Sequence, residues 1–187
     1  MITDRYKKAY KDYYVKEITT PKGKTRKKYV YTGTLFRMNV SDKKWYLVRA
    51  WQTLLFLGAV VLFIIPATRE YSSNMNSISA FPQMCAVLSF FIQAYAIIQY
   101  WLCSRDLTEW DINHSSKLLK TISLISAICC LAVFIFSVIF LFVNHEVSAG
   151  SILICFLYLA AGGLMVVSHI IESRLSFSAN KSRVYEL

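Results

Sequence analysis

The chain has 187 residues, of which 56% are hydrophobic and 17% charged, with a mean hydropathy of +0.42. This excludes a disordered chain, and because the apolar residues lie in four blocks it also excludes an ordinary water-soluble domain. The net charge of +10 is carried before Ala50: residues 1–49 hold 14 of the 21 Lys and Arg but only 4 of the 11 Asp and Glu, and the remaining bases and acids cancel.

Residues 1–44 form a basic arm. Thr3 is placed to cap a short helix in which Tyr6, Tyr10 and Tyr13 recur at helical spacing, with Lys7, Lys8 and Lys11 largely opposite. Two runs rich in Tyr, Val, Ile and Thr follow, Tyr13–Thr19 and Lys28–Arg37, separated by Thr20-Pro21-Lys22-Gly23, which has the residues of a type I turn. The expectation is a β-hairpin with Lys22, Lys24, Arg26, Lys27 and Lys28 at its tip, suited to anionic lipid headgroups. Tyr beside Lys and Arg also suits single-stranded nucleic acid. The adjoining apolar block favours the membrane surface, and no nucleic acid is expected. A two-stranded hairpin is marginal alone, so this one needs support from the membrane, the other loops or a partner chain.

The four apolar blocks run from about 50 to 66, 78 to 103, 118 to 143 and 150 to 171. In lipid such segments satisfy their backbones only as helices. The first begins some fifty residues into the chain and lacks a small-residue cleavage pattern, so it is expected to be a span and not a processed signal. The fold class expected is therefore an all-α membrane protein: a four-transmembrane-helix bundle over residues 45–175, a short N-terminal cytoplasmic β-hairpin, and a tail over 176–187. The segments before the first block, between the second and third, and after the fourth hold nearly all the Lys and Arg. The positive-inside rule puts both termini in the cytoplasm, with a bacterial plasma membrane as the working location. Trp45, Tyr46, Trp51, Tyr100, Trp101 and Trp110 cluster toward that same side.

Between the second and third blocks, Thr108 stands before Glu109 and Asp111, a capping residue followed by first-turn acids. The third helix is expected to start there and to project about two turns beyond the bilayer. Arg105, Asp106, Glu109, Asp111, His114 and Lys117 would then form a polar knob whose acids can meet the basic hairpin.

Few residues within the blocks can carry chemistry. His169 and Glu172, three apart near the end of the fourth, suit a proton or metal site or a plain interfacial pair. Two ligands leave a tetrahedral metal site incomplete, so no metal and no cofactor is expected. Gln93, Tyr95 and Gln99 in the second block suit a polar path or bonds between helices; Gln52, Thr53 and Ser89, Ser123, Ser126 and Ser137 suit the latter. Ala160, Ala161, Gly162 and Gly163 let backbones approach closely, within the bundle or at an oligomer interface. Cys85, Cys103, Cys129, Cys130 and Cys155 lie inside or beside apolar blocks with no C-x-x-C spacing, as buried hydrophobes do.

Nucleotide-binding, hydrolase and zinc-protease motifs are absent, and so is an acid in the first span through which a small exporter could work. No catalytic residue is assigned. The leading expectation is a non-enzymatic assembly or accessory subunit, a homo-oligomer or part of a membrane complex, docking through its cytoplasmic face. A small oligomeric transporter or channel lined by Tyr95, Gln99 and His169 is the alternative. An enzyme on a lipid substrate using His169 and Glu172 comes third.

Overall fold

The computed structural model describes residues 13–19, 25–31, 33–69, 77–145, 147–180 and 185–186. Most of these are helical. Helix α1 spans Asp42–Ala67, α2 Ser77–Leu102 and α4 Ala149–Ser173. Helix α3 runs without a break over Glu109–Val143, with a π-helical turn at Asn113–Lys117. All four are long and apolar enough to cross a membrane. The 26 residues of α1 rise roughly 39 Å, against a hydrocarbon core of about 30 Å.

The local chemistry sets the helix starts. Ser41 caps α1 through the Lys44 amide, and Ser148 caps α4 through the Ser151 amide. Thr108 caps α3 in a full capping box: its hydroxyl accepts from the Asp111 amide, and the Asp111 carboxylate accepts from the Thr108 amide at 2.9 Å. The capping expected at Thr108 and the extension of α3 beyond its apolar part are therefore both present.

Helix α4 packs against α1 and α3, and α2 packs mainly against α3. The core between them holds Ala59, Phe63, Ala86, Phe90, Cys130, Val133, Tyr158 and Met165. Outer faces carry large exposed apolar side chains on every helix, among them Leu54, Val61, Phe91, Ile128 and Phe156.

Among the described residues there are also two small three-stranded sheets. In the first, β1 (Tyr13–Thr19) pairs antiparallel with β2 (Thr25–Tyr31), from Tyr13 opposite Tyr31 to Thr19 opposite Thr25. Strand β6 (Tyr185–Glu186) adds to the other edge of β2. In the second, β3 (Leu35–Met38) is central, between β4 (Asp106–Leu107) and β5 (Phe177–Asn180).

The hairpin is thus present with its first strand as expected, but its second strand is not the single run Lys28–Arg37. That run is divided: residues to Tyr31 pair with β1, and those from Leu35 pair with the middle loop and tail. The division falls beside Gly33, and a glycine inside a strand weakens it. The turn Thr20–Gly23, with Lys22, and also Lys24 and the capped helix at Thr3, lie outside the described residues. Arg26, Lys27 and Lys28 sit on β2, opposite Ile18, Glu17 and Lys16.

Candidate functional site

The residues that cross-tie the helices form one buried polar chain. In α1, Gln52 Nε2 donates to the Ser168 carbonyl oxygen at 3.1 Å and to Glu172 Oε2 at 3.1 Å, both on α4. Ser168 Oγ in turn donates to Gln52 Oε1, so the amide and the serine hold each other. Ser168 Oγ also lies 3.1 Å from Ser123 Oγ on α3. Ser123 Oγ accepts from Gln93 Nε2 on α2 at 3.2 Å. Ser126 Oγ stands 3.3 Å from Gln93 Oε1 and 2.8 Å from Ser89 Oγ.

The chain thus runs from Glu172 through Gln52, Ser168, Ser123, Gln93 and Ser126 to Ser89, and all four helices contribute. Each member is buried. Two helical steps of four residues, Glu172 to Ser168 and Gln93 to Ser89, give it an axial reach of roughly 12 Å. Beyond Ser89 it meets an apolar plug in which Phe63 packs edge-on to Phe90, with ring centroids 5.4 Å apart, and to Tyr158 at 5.3 Å.

At the end near Glu172, the buried Arg49 of α1 is pinned by geometry. Its guanidinium carbon lies 3.5 Å from the Trp45 ring centroid, and Nη2 and Nη1 donate to the carbonyls of Cys103 (2.8 Å) and Trp101 (3.3 Å). Arg49 therefore caps the C-terminal end of α2, where carbonyls lack helical partners. Trp101 Nε1 returns a bond to Thr53 Oγ1 at 2.9 Å. Beside this junction Tyr100 is buried, and its hydroxyl faces Glu172. Ser116 on α3 also reaches the Glu172 carboxylate, so polar groups from α1, α2 and α3 gather around it.

Cys103, just past α2, is buried with Leu107 and Ile112. Burial, reinforced by the nearby Asp111 charge, pushes its thiol up to about 11. A thiol so far from ionising at neutral pH is a poor nucleophile.

The structure spreads the sequence-selected residues among different environments. Gln93 is in the chain, but Tyr95 is 42% exposed on the outer surface and Gln99 is half-buried, so these two do not join it. Glu172 faces inward, whereas His169 is half-buried, with Nδ1 2.9 Å from the Lys120 carbonyl oxygen. The two share no hydrogen bond. Ala161 and Gly162 are buried, while Ala160 and Gly163 are exposed. A Cβ on Gly162 would stand 3.3 Å from Cys130 Cβ, whereas one on Gly163 would meet nothing within 4 Å. Sequence reasoning missed Ser168, Tyr100 and the burial of Arg49. The one available signal for Arg49 was its spacing of four from Trp45.

The same end gathers the segments that precede α1, join α2 to α3, and follow α4. Phe36 pairs with Leu107 and Ala179, and Arg37 with Asp106 and Ser178. Arg105 forms an ion pair with Asp42 and donates to the Val40 carbonyl at 2.7 Å. In that pair the middle loop supplies the base and the arm the acid; the side chains of the basic hairpin, which the sequence suggested would meet the acids of this loop, lie outside the described residues. No family model, no curated protein and no solved structure matches this chain.

Proposed function

We propose that this is a polytopic integral membrane protein that acts without catalysis, as an assembly or accessory subunit. In this reading α1 to α4 cross the bilayer as a bundle with both termini in the cytoplasm of a bacterial plasma membrane. The observation that carries it is the convergence of arm, middle loop and tail at one end. Three segments far apart in sequence are woven into the sheet β4-β3-β5, and the arm and tail meet again in β1-β2-β6. Among the described residues each sheet ends in an edge strand on either side, and such edges accept a strand from another chain.

Other features support the same reading. Exposed apolar side chains on all four helices suit lipid and are costly in water. Tyr46, Trp51, Trp101 and Trp110 are exposed toward the arm end, with Lys43 and Lys44 beside them, an arrangement that suits anionic headgroups. The polar chain ties the helices together, which a rigid platform needs.

The test is capture of the full-length protein from membranes in mild detergent, with mass spectrometry of what comes with it. A second copy or a defined membrane partner is expected, lost when residues 1–31 are removed and kept when Tyr95→Phe and Gln99→Leu are introduced. A partner that survives loss of the arm refutes the assignment of the docking face.

The transporter or channel reading rests on the buried polar chain. Its path would then run along Gln52, Gln93 and Ser126 rather than along Tyr95 and Gln99, and the Phe63–Phe90–Tyr158 plug would have to open. A flux assay in liposomes separates the two readings: transport that survives removal of the arm favours the second.

A further inference from the structure

We infer that the edge of β2 between Thr25 and Tyr29 is a docking slot for an extended acidic segment of another protein, which adds there as a strand in line with β6. This rests on the arm being a docking face, and it names the class of partner. Strand β2 is paired unequally on its two sides. Toward β1 it is paired along its whole length, from Thr25 opposite Thr19 to Tyr31 opposite Tyr13. On the other side, among the described residues, only Val30 and Tyr31 are paired, with Glu186 and Tyr185. The strand is thus central to its sheet at these two residues and an edge over the remaining stretch, Thr25–Tyr29. Backbone amides and carbonyls along such an edge pair readily with a further strand.

The charges decide which strand fits. The open stretch carries Arg26, Lys27 and Lys28 in succession. Toward β1, Lys27 stands opposite Glu17, but Lys28 stands opposite Lys16, and Arg26 stands opposite Ile18. Opposite charges across a ladder stabilise it and like charges weaken it. Arg26 and Lys28 therefore have no acid across from them on β1, and the open side is where the ladder leaves a place for one. They are two apart and share a sheet face. Val30 falls on the same face, and there the tail already sets an acid, Glu186, across from it. A segment that continues along this edge with acids at alternate positions, opposite Lys28 and Arg26, extends the same arrangement.

Other occupants fit less well. A second copy of β2 laid antiparallel on this edge sets Arg26 against Lys28 and Lys27 against Lys27, cation on cation. The acids of the chain's own middle loop are placed elsewhere: Asp106 stands opposite Arg37, and Glu109 and Asp111 lie in the first turn of α3. An anionic membrane surface supplies charge but no ladder of amides and carbonyls for the open edge.

The experiment uses the full chain in mild detergent and a fluorescently labelled peptide, Thr-Val-Glu-Val-Glu-Val-Thr, with binding followed by anisotropy. Three companion peptides separate charge from strand pairing: one with Gln for both Glu, one with Lys for both Glu, and the acidic peptide N-methylated at every interior residue, which keeps its charge but cannot pair as a strand. The acidic peptide is expected to bind about tenfold more tightly than the Gln and N-methylated peptides, and the Lys peptide not at all. Arg26→Ser with Lys28→Ser should lose about the same factor, and Lys27→Ser, at the position opposite Glu17, much less. Arg26→Glu with Lys28→Glu should reverse the preference toward the Lys peptide, a gain that a misfolded arm does not give. Equal binding of the acidic and N-methylated peptides overturns the inference, since charge alone, as at an anionic membrane, would then account for it. So does a wild-type chain that ignores the acidic peptide, or unchanged binding in Arg26→Ser with Lys28→Ser. A membrane partner lost with residues 1–31 but kept by Arg26→Ser with Lys28→Ser overturns the slot and leaves the docking face standing.

Discussion

Placing a single methyl group on adjacent glycines of α4 should have opposite effects. At Gly163 an added Cβ meets nothing within 4 Å. Gly163→Ala then only removes the conformational cost of a helical glycine and is expected to stabilise by about 0.5–1 kcal/mol. At Gly162 the same gain is opposed by contact. The added Cβ would lie 3.3 Å from Cys130 Cβ, inside the usual 3.5–4.0 Å separation of carbon atoms, and 3.4 Å from the Ala127 carbonyl oxygen, at the edge of ordinary contact. Neither neighbour is the free end of a flexible side chain, so α3 and α4 must move apart by a few tenths of an ångström. Overpacking of this kind costs roughly 1–3 kcal/mol. After the glycine gain is subtracted, Gly162→Ala is expected to destabilise by about 0–2.5 kcal/mol and to fall clearly below Gly163→Ala. Reversible unfolding in mixed detergent micelles, with helicity as the signal, gives both values. A Gly162→Ala protein as stable as Gly163→Ala would refute the close packing of α3 on α4 at this level.

Other expectations follow from the same contacts. Gln93→Leu deletes the bonds to Ser123 and Ser126 and leaves two buried hydroxyls with fewer partners; a loss of about 1 kcal/mol is expected in the same unfolding assay. Gly58→Ala should be close to neutral there, because the contact at 3.1 Å is only the Leu164 Cδ1 tip, which can swing aside. Cys103 should alkylate slowly at neutral pH. Its thiol is held near 11, above the ordinary value of about 8.5, so the reactive thiolate becomes abundant only as pH rises toward 11. Maleimide labelling followed against pH checks this, and rapid labelling at neutral pH would show Cys103 to be open to solvent.

Residues short in range were legible in the chain. Thr108 with Asp111 three positions on is a local signal, and the capping box forms there. Tyr13–Thr19 carries a strand pattern and is a strand. The run from Lys28 to Arg37 carries the same pattern and is nevertheless two strands, because its halves find different partners: β1 and β6 for one, β4 and β5 for the other. Those partners lie up to 156 positions apart, as in the pairing of Val30 with Glu186, and no local pattern encodes them.

The candidate site shows the same limit more sharply. Composition alone determined four helices of membrane-crossing length, since a long apolar run has few ways to satisfy its backbone. It could not tell the inner face of a helix that is apolar nearly all round, because periodicity carries information only where one side must be polar. Tyr95 and Gln99 share a face by spacing, but Tyr95 points outward, while Gln93 turns inward to Ser123 and Ser126. Arg49 looks like an edge residue in sequence and is buried because Trp45, Trp101 and Cys103 surround it. Which polar groups meet is decided by the neighbouring helices that satisfy them, and that choice exists only once the helices have packed.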